Sequence, residues 1–271
     1  MKQTIKSIIP APLWNFARNT NDTIRRLPQL PAAYLHPWRR ESIRRLAALK
    51  DIHKGKRAFI IGNGPSLKQT DLTKLKNEFT FGMNRFYVFF PELGFTTTYF
   101  CSINDLVIEQ FADDILALPM PRFLAWRSHR HFSPQLPISQ TPTFIYTSYT
   151  GPRIASDVTG RVWEGATVTN FALQIAFHMG FEKVILIGVD HNFTSKGDAN
   201  KTVVSKGDDP NHFMPNYFGK GVKWQLPDLD TSEVGYIMAR EAFRKAGREI
   251  VDATVGGKLT VFPKVDYNSL F

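Results

Sequence analysis

Two short stretches carry the residue types from which a substrate site is built. In "FIIGNGPSL" an apolar run stops at Gly62-Asn63-Gly64-Pro65-Ser66. Glycines at this spacing let the backbone turn sharply and approach a ligand without Cβ atoms in between. Their amides, with the Asn63 amide and the Ser66 hydroxyl, suit a phosphate or a base edge. The turn is not the G-x-G-x-x-G fingerprint, because Leu67 stands at the last glycine position, and no Gly-Lys-Ser/Thr follows to make a P-loop. In "KVILIGVDHNF" a second apolar run ends on Gly188, Asp190 and His191. An acid there suits a ribose, a metal or a substrate hydroxyl, and equally the capping of the next turn.

Further candidates lie in the polar, glycine-rich stretch 194–230, a loop long enough to be a lid or a binding loop. It contains His212, and Lys220 and Lys223 in "FGKGVKW". His178, between Phe177 and Met179, reads as a packed core residue, and His129 and His131 as loop residues. No His or Cys spacing forms a metal-ligand motif.

The elements that position these residues alternate along the chain. "RAFIIG", "TFGMNRFYVF", "TTTYFCSI", "RFLAWR" and "PTFIYTS" read as strands, and "KVILIGVDH" as a central parallel strand. "NDLVIEQFADDILAL" reads as one amphipathic helix, and "TVTNFALQIAFHMGF", opening at Thr167, as a buried one. "TSEVGYIMAREAFRKAGREIVDAT" closes the body with a helix and a strand. This order predicts an α/β, Rossmann-like parallel sheet with helices on both faces and a ligand site at the carboxyl ends of the strands.

At 271 residues the chain can bury one large domain, here 57–271, beside a basic amphipathic N-terminal helical extension, 1–56. Residues 1–57 hold 13 basic and 3 acidic side chains, which accounts for the whole net charge of +10. Trp14, Phe16, Trp38, Ile43 and Leu46 alternate with arginines there, as on a segment lying on an anionic membrane through residues 1–50, or on a helix docked with a solvated basic face. No nucleic-acid motif accompanies the charge, so nucleic acid is not expected as a partner. The lone Cys101 excludes an internal disulfide, fits a reducing cytoplasm and reads as a small core residue. No run approaches the roughly 20 apolar residues of a membrane span. The expected location is cytoplasmic, with peripheral attachment to the inner face of the membrane left open, as is a homo-oligomer.

"FIIGNGPSL", "FGMNRFY", "NDLVIEQFADDI", "ALQIAFHMGFEKVILIGVDHNF" and "REIVDATVGGKLTVFPKVDYNSLF" together resemble the 6-hydroxymethylpterin diphosphokinase MptE-like domain family over about residues 57–271. The same motifs are similar to the bacterial sialyltransferases of glycosyltransferase family 42, which use CMP-sialic acid without a metal on a GT-A-variant-like fold. That resemblance implies nucleotide contacts from Gly62 to Leu67 and from Asn84, Phe86 and Tyr87, a donor-sugar contact from Asn104, and a strand ending in Gly188 and Asp190. The match breaks at the catalytic base, where Asn216 stands four residues after His212–Phe213, and after Asp190, where Asn192 and Phe193 replace phosphate-holding tyrosines.

The resemblance implies a glycosyltransferase in surface glycan synthesis, taking a nucleotide-sugar donor, CMP-linked by preference, and a glycan or lipid-linked acceptor, with no cofactor required. The candidate bases are His212, then His191 beside Asp190. Lys220 and Lys223 would neutralise the departing phosphate, and Asp105 and Thr167 complete the candidate binding set. The family name implies an alternative, ATP-dependent pyrophosphoryl transfer to 6-hydroxymethylpterin. That chemistry would need Mg²⁺ on convergent carboxylates such as Asp105 with Asp190, or Asp208–Asp209. A non-catalytic, membrane-attached nucleotide-binding protein is the third reading, favoured by Asn216.

Overall fold

Eight parallel strands form one sheet in the order β10-β7-β1-β2-β3-β4-β5-β6. The structure is a computed structural model that describes residues 11–149, 151–193, 197–207, 209–214 and 217–271. The strands are β1 (Arg57–Ile61), β2 (Phe79–Met83), β3 (Tyr99–Ser102), β4 (Arg122–Ala125), β5 (Thr143–Ser148), β6 (Arg161–Trp163), β7 (Lys183–Ile187) and β10 (Glu249–Asp252). An antiparallel hairpin of β8 (Thr202–Val204) and β9 (Lys223–Gln225) lies apart from the sheet. The helices that cover it are α1 (Ala11–Arg26), α2 (Leu30–Leu35), α3 (Pro37–Ala48), α4 (Phe90–Leu93), α5 (Asp105–Gln110), α6 (Ala112–Ala117), α7 (Val168–His178) and α8 (Leu229–Lys245). The expected α/β, Rossmann-like architecture is the one observed.

The central strands are buried on both sides, as uninterrupted apolar runs in parallel sheets are. In β1, Ala58 and Ile60 join one core with Phe171 and Ile175 of α7 and Tyr236 and Phe243 of α8. Phe59 and Ile61 join the opposite core with Leu67, Leu72 and Leu75 and with Phe213, Tyr217 and Trp224 of the 194–230 stretch. That stretch is therefore docked through aromatic side chains where it is described. Gln110 holds its hairpin in strand fashion: the side-chain amide donates to Lys223 O at 2.9 Å and accepts from Lys223 N at 2.9 Å.

The single helix expected over 104–118 is broken at Phe111 (φ −133°, ψ 32°) into α5 and α6. Leaving the helical conformation there puts the Phe111 ring 4.0 Å beneath the Arg85 guanidinium. β6 has no counterpart among the strands read from the sequence, because three residues are too few to show a period. Cys101 is fully buried and burial pushes its thiol pKa up, in keeping with a core residue.

The basic N-terminal segment divides into two parts. α3 seals the part of the β5 edge that short β6 leaves bare: Ser42 Oγ accepts from Phe144 N at 2.9 Å, and the Arg45 guanidinium donates to Thr141 O and Ile138 O. An uncovered edge of this kind invites pairing with another chain. Trp38 stacks on Phe144, Leu46 is fully buried, and His178 bonds Leu46 O at 2.8 Å. Phe16, Ile24 and Leu27, by contrast, are exposed. Trp38 and Leu46 are thus core residues, and the apolar side chains open to solvent lie on and just after α1, at the end of α2 (Tyr34, Leu35) and at Ile52.

Leu46→Ala should lower unfolding free energy by about 2–5 kcal/mol in urea titration, the cost of emptying a buried leucine site. A change within about 0.5 kcal/mol, the range of surface substitutions, would show that α3 is not part of the core.

Candidate functional site

The chain order reverses between β1 and β7. From β1 the strands run outward through β2 to β6, and α7 then returns the chain to the other side of β1. Open parallel sheets bind ligands outside the carboxyl ends of the strands at such a point. The two stretches singled out in the sequence, Gly62–Ser66 and Gly188–His191, are the loops that leave these two strands.

The loops are fastened to each other. Gly62 N donates to Ile187 O at 2.7 Å and Gly64 N to Gly188 O at 2.9 Å. Asp190 accepts from Ser66 Oγ at 2.6 Å and from Ser66 N at 3.1 Å, one carboxylate oxygen each. The glycines are required by this contact. A Cβ on Gly62 would lie 2.1 Å from Gly188 O, one on Gly64 would lie 1.8 Å from Asp190 Oδ2, and one on Gly188 (φ +65°) would meet Leu67 at 2.6 Å. Of the donors expected for a phosphate, the Gly62 and Gly64 amides and the Ser66 hydroxyl are consumed inside the protein. The glycines serve the approach of loop to loop.

Beside the clamp opens a cleft of about 610 Å³. Gly62, Asn63, Gly64, Asn84, Asn104, Thr167, Gly188, Asp190, His191 and His212 all line it, so most of the expected set is brought together. Pro65, Ser66, Asp105 and Lys220 are not among the lining residues. Asp105 instead accepts from Ser128 and His131 and pairs with Arg130, and Lys220 is exposed. Lys223 is exposed as well, and Phe86 is fully buried. Tyr87 turns its hydroxyl to Asp114 at 3.2 Å. Asn216 and Asp208 lie outside the described residues.

Three asparagines form the β1–β3 wall. Asn63 Nδ2 donates to Met83 O at 3.1 Å, which fixes the orientation of the amide, and its Oδ1 is buried without a hydrogen-bond partner. Asn84 has a left-handed backbone (φ 51°) and accepts from Ser102 Oγ at 2.9 Å. Asn104 caps α5, its Oδ1 accepting from Leu106 N and Val107 N. The opposite wall is the turn from β6 into α7, where Gly165 (φ 58°) and Ala166 (φ 55°) precede Thr167, which caps α7 by accepting from Thr169 N.

The histidines come with acids. His212 Nδ1 lies 2.8 Å from both oxygens of Asp209, and its ring stacks on Tyr217 at 4.1 Å between centroids, 10° from parallel. Its neighbour Phe213 donates through N to Asn63 O at 2.9 Å, tying this segment to the β1 loop. Tyr217 is itself fixed, its hydroxyl accepting from Arg85 N at 3.0 Å. His191 (φ 53°) bonds Glu233 Oε1 at 2.8 Å.

Sequence reasoning missed a buried ion pair at the far end of the cleft. Both Glu164 oxygens meet the Arg127 guanidinium, which also donates to Thr147 Oγ1 and Ile103 O. Glu164 follows the unrecognised β6, and Arg127 lies in "WRSHRH", where the histidines drew notice. Asn21 and Arg25 of α1 also line the cleft. Nothing in their spacing pointed to a site, although they stand on the face of α1 turned away from Phe16 and Leu27.

Among the described residues no group of three or more His, Cys, Asp or Glu side chains converges to hold a metal ion. The acids on the cleft wall are engaged elsewhere: Asp190 with Ser66, Glu164 with Arg127, and Asp228 with Thr231 N and Asn200. This donor set does not fit a phosphate-bridging Mg²⁺, and Asp105 and Asp190 do not meet.

The clamp can be tested by a double-mutant cycle. Gly64→Ala and Asp190→Ala should each destabilise, but the pair should cost less than the sum by about 0.5–3 kcal/mol, because removing the carboxylate relieves the closest clash of the new methyl and leaves only Gly188 O, at 2.8 Å, too near. Additive costs in thermal or urea unfolding would show that the contact is absent.

Two comparisons returned nothing: no curated protein and no solved structure matches the chain. A third did, with one family model, described as 6-hydroxymethylpterin diphosphokinase MptE-like, matching residues 39–196. The match begins inside α3 and takes in β1 to β7 with the clamp.

Proposed function

Because the chain belongs to the 6-hydroxymethylpterin diphosphokinase MptE-like family, we propose that the cleft between β1 and β7 is the active site of a transferase. In finer terms it moves a sugar from a nucleotide-activated, CMP-linked donor to a hydroxyl of a glycan or lipid-linked acceptor. The observation that carries this reading is His212 on the cleft wall, with its Nδ1 2.8 Å from both oxygens of Asp209. Asp209 accepts the Nδ1 proton, which leaves Nε2 with its lone pair. An imidazole held in that tautomer is a general base.

In the proposed step the acceptor hydroxyl gives its proton to His212 Nε2 as its oxygen bonds the anomeric carbon. The bond from that carbon to the donor phosphate breaks, and the phosphate leaves with the electron pair. Arg127 and Arg25 are the cations on the cleft wall that would stabilise it. Asn63, a cleft residue whose Oδ1 accepts no hydrogen bond, supports a nucleobase with an exocyclic amine, which cytosine and adenine share, once a small shift opens that oxygen to the cleft. Asp209 and Tyr217 act as positioning residues for His212.

The family description favours a second reading, pyrophosphoryl transfer from ATP to a hydroxymethylpterin. It has the same cleft available, and no carboxylate set suited to Mg²⁺ converges among the described residues, so it stands second.

Thermal shift with CMP, CDP, UDP, GDP and ATP, each with and without Mg²⁺, separates the two readings, since a ligand of the native state raises Tm by mass action. Stabilisation by CMP without metal is expected. His212→Ala should keep that shift and lower kcat by about 10²- to 10⁴-fold, and Asp209→Asn should lower kcat with little change in KM. A shift confined to ATP with Mg²⁺ would overturn the reading in favour of the kinase.

A lipid-linked acceptor would place the protein on the cytoplasmic membrane face, and the expected attachment falls on α1. No helix among the described residues is long and apolar enough to cross a membrane. Phe16, Ile24 and Leu27 are 70%, 59% and 54% exposed in a segment rich in arginine, as an in-plane amphipathic helix requires. Replacing all three by Asp should abolish co-sedimentation with anionic vesicles and leave Tm unchanged. Undiminished binding would refute attachment through α1.

A further inference from the structure

A second cavity, of about 210 Å³, adjoins the cleft beneath the C-terminal end of α1. Arg25, Arg26, Arg127 and Arg130 line it, with Trp126 and Tyr149 among the aromatic side chains that complete the wall, and no carboxylate lines it among the described residues. The acids that partner Arg127 and Arg130 are Glu164 and Asp105, and neither reaches this cavity. Arg25 has no hydrogen bond or ion pair among the described residues. Arg26 is held in place by donating to Thr147 O at 2.8 Å and by lying over the Tyr149 ring, and the Arg127 guanidinium lies 4.8 Å from the centroid of the same ring.

Arg127 and Arg130 have their own carboxylates outside this space, whereas Arg25 pairs with no carboxylate among the described residues, so the cavity wall carries excess positive charge, and a concave wall of one sign concentrates oppositely charged ligands. Guanidinium forks match phosphate oxygens in pairs, and a diphosphate carries the charge to engage several of them. We propose that this annex is a subsite for a phosphate ester, with a diphosphate group as its best match. Three residues, Arg25, Arg127 and Tyr149, border both the annex and the main cleft. A group held in the annex would therefore present whatever it carries to the cleft, which makes it the phosphate-bearing end of the acceptor. That assignment to the acceptor rests on the donor reading given above, whereas the anion site itself does not.

Calorimetric titration of the full chain with inorganic pyrophosphate at constant ionic strength tests the annex. Saturable binding is expected, weakened at least tenfold by Arg130→Ala and abolished by Arg25→Glu, with Arg130→Ala leaving CMP affinity unchanged. A decyl diphosphate in a parallel titration identifies the source: tighter binding than pyrophosphate points to a lipid headgroup, equal binding to a soluble diphosphate, and each supports the subsite. Absence of saturable binding, or binding indifferent to both substitutions, overturns it. Mutual exclusion of CMP and pyrophosphate would give the annex to the donor and overturn the acceptor assignment. Failure of CMP to bind while pyrophosphate still does would reject the donor reading and leave the anion site standing.

Discussion

The contact on which the site depends is the one between the loops leaving β1 and β7. Two parallel strands diverge beyond their last hydrogen bond unless something holds their loops, and here the holding is done by Asp190 on Ser66 and by two amide-to-carbonyl bonds. Close packing leaves no room for a Cβ on either side, so the strand ends are set at one spacing. Asn63 and His191 then project from a fixed frame, and Asn63 O in turn anchors the segment that carries His212. An aspartate at the end of a central strand here acts on its neighbour loop, and asparagines and the histidine above line the cleft beside it.

The cleft that results is chemically graded. Its β1–β3 wall is neutral amide, suited to reading hydrogen-bond patterns, and its far end carries the Arg127–Glu164 ion pair with Arg25 adding a positive charge. A molecule with a polar planar part and a charged part has one favourable orientation in such a field. The graded wall comes from topology: the crossover α7 returns over the sheet and leaves room at the β4–β6 end for side chains of α1 to reach in.

The strands were legible wherever an apolar run was long enough to show itself, as in β1 and β7, and so was the buried α7. β6 escaped because three residues carry no period, and with it went Glu164, whose role follows only from where that strand ends. The break at Phe111 was illegible because it serves a ring–guanidinium contact with Arg85, 26 positions away (111 − 85). The glycines of "GNGPS" were legible as a turn, but their packing was not: spacing shows that a Cβ is absent, whereas only the packed neighbour shows what fills its place. His212 was found by analogy of position, and its partner Asp209, three residues earlier, was read instead as half of an acidic pair with Asp208. Arg25 gave no signal, since an arginine in a basic segment looks like any other until the fold lays its helix beside a cleft.

The strand order has a bearing on how the chain is made. β2 follows β1 closely in the chain, but the other edge of β1 pairs with β7: the register partner of Ile61 is Ile187, 126 positions later (187 − 61). Through that interval the nascent chain carries an apolar strand with one unpaired side, the kind of surface that chaperones hold and that pairs wrongly when it is left alone. Long-range parallel pairing is slow to form, and here it is also the pairing that creates the cleft. Translation must therefore pass most of the polypeptide before any ligand has a place to bind, and a truncated product ending ahead of β7 would be a bare sheet edge without a site.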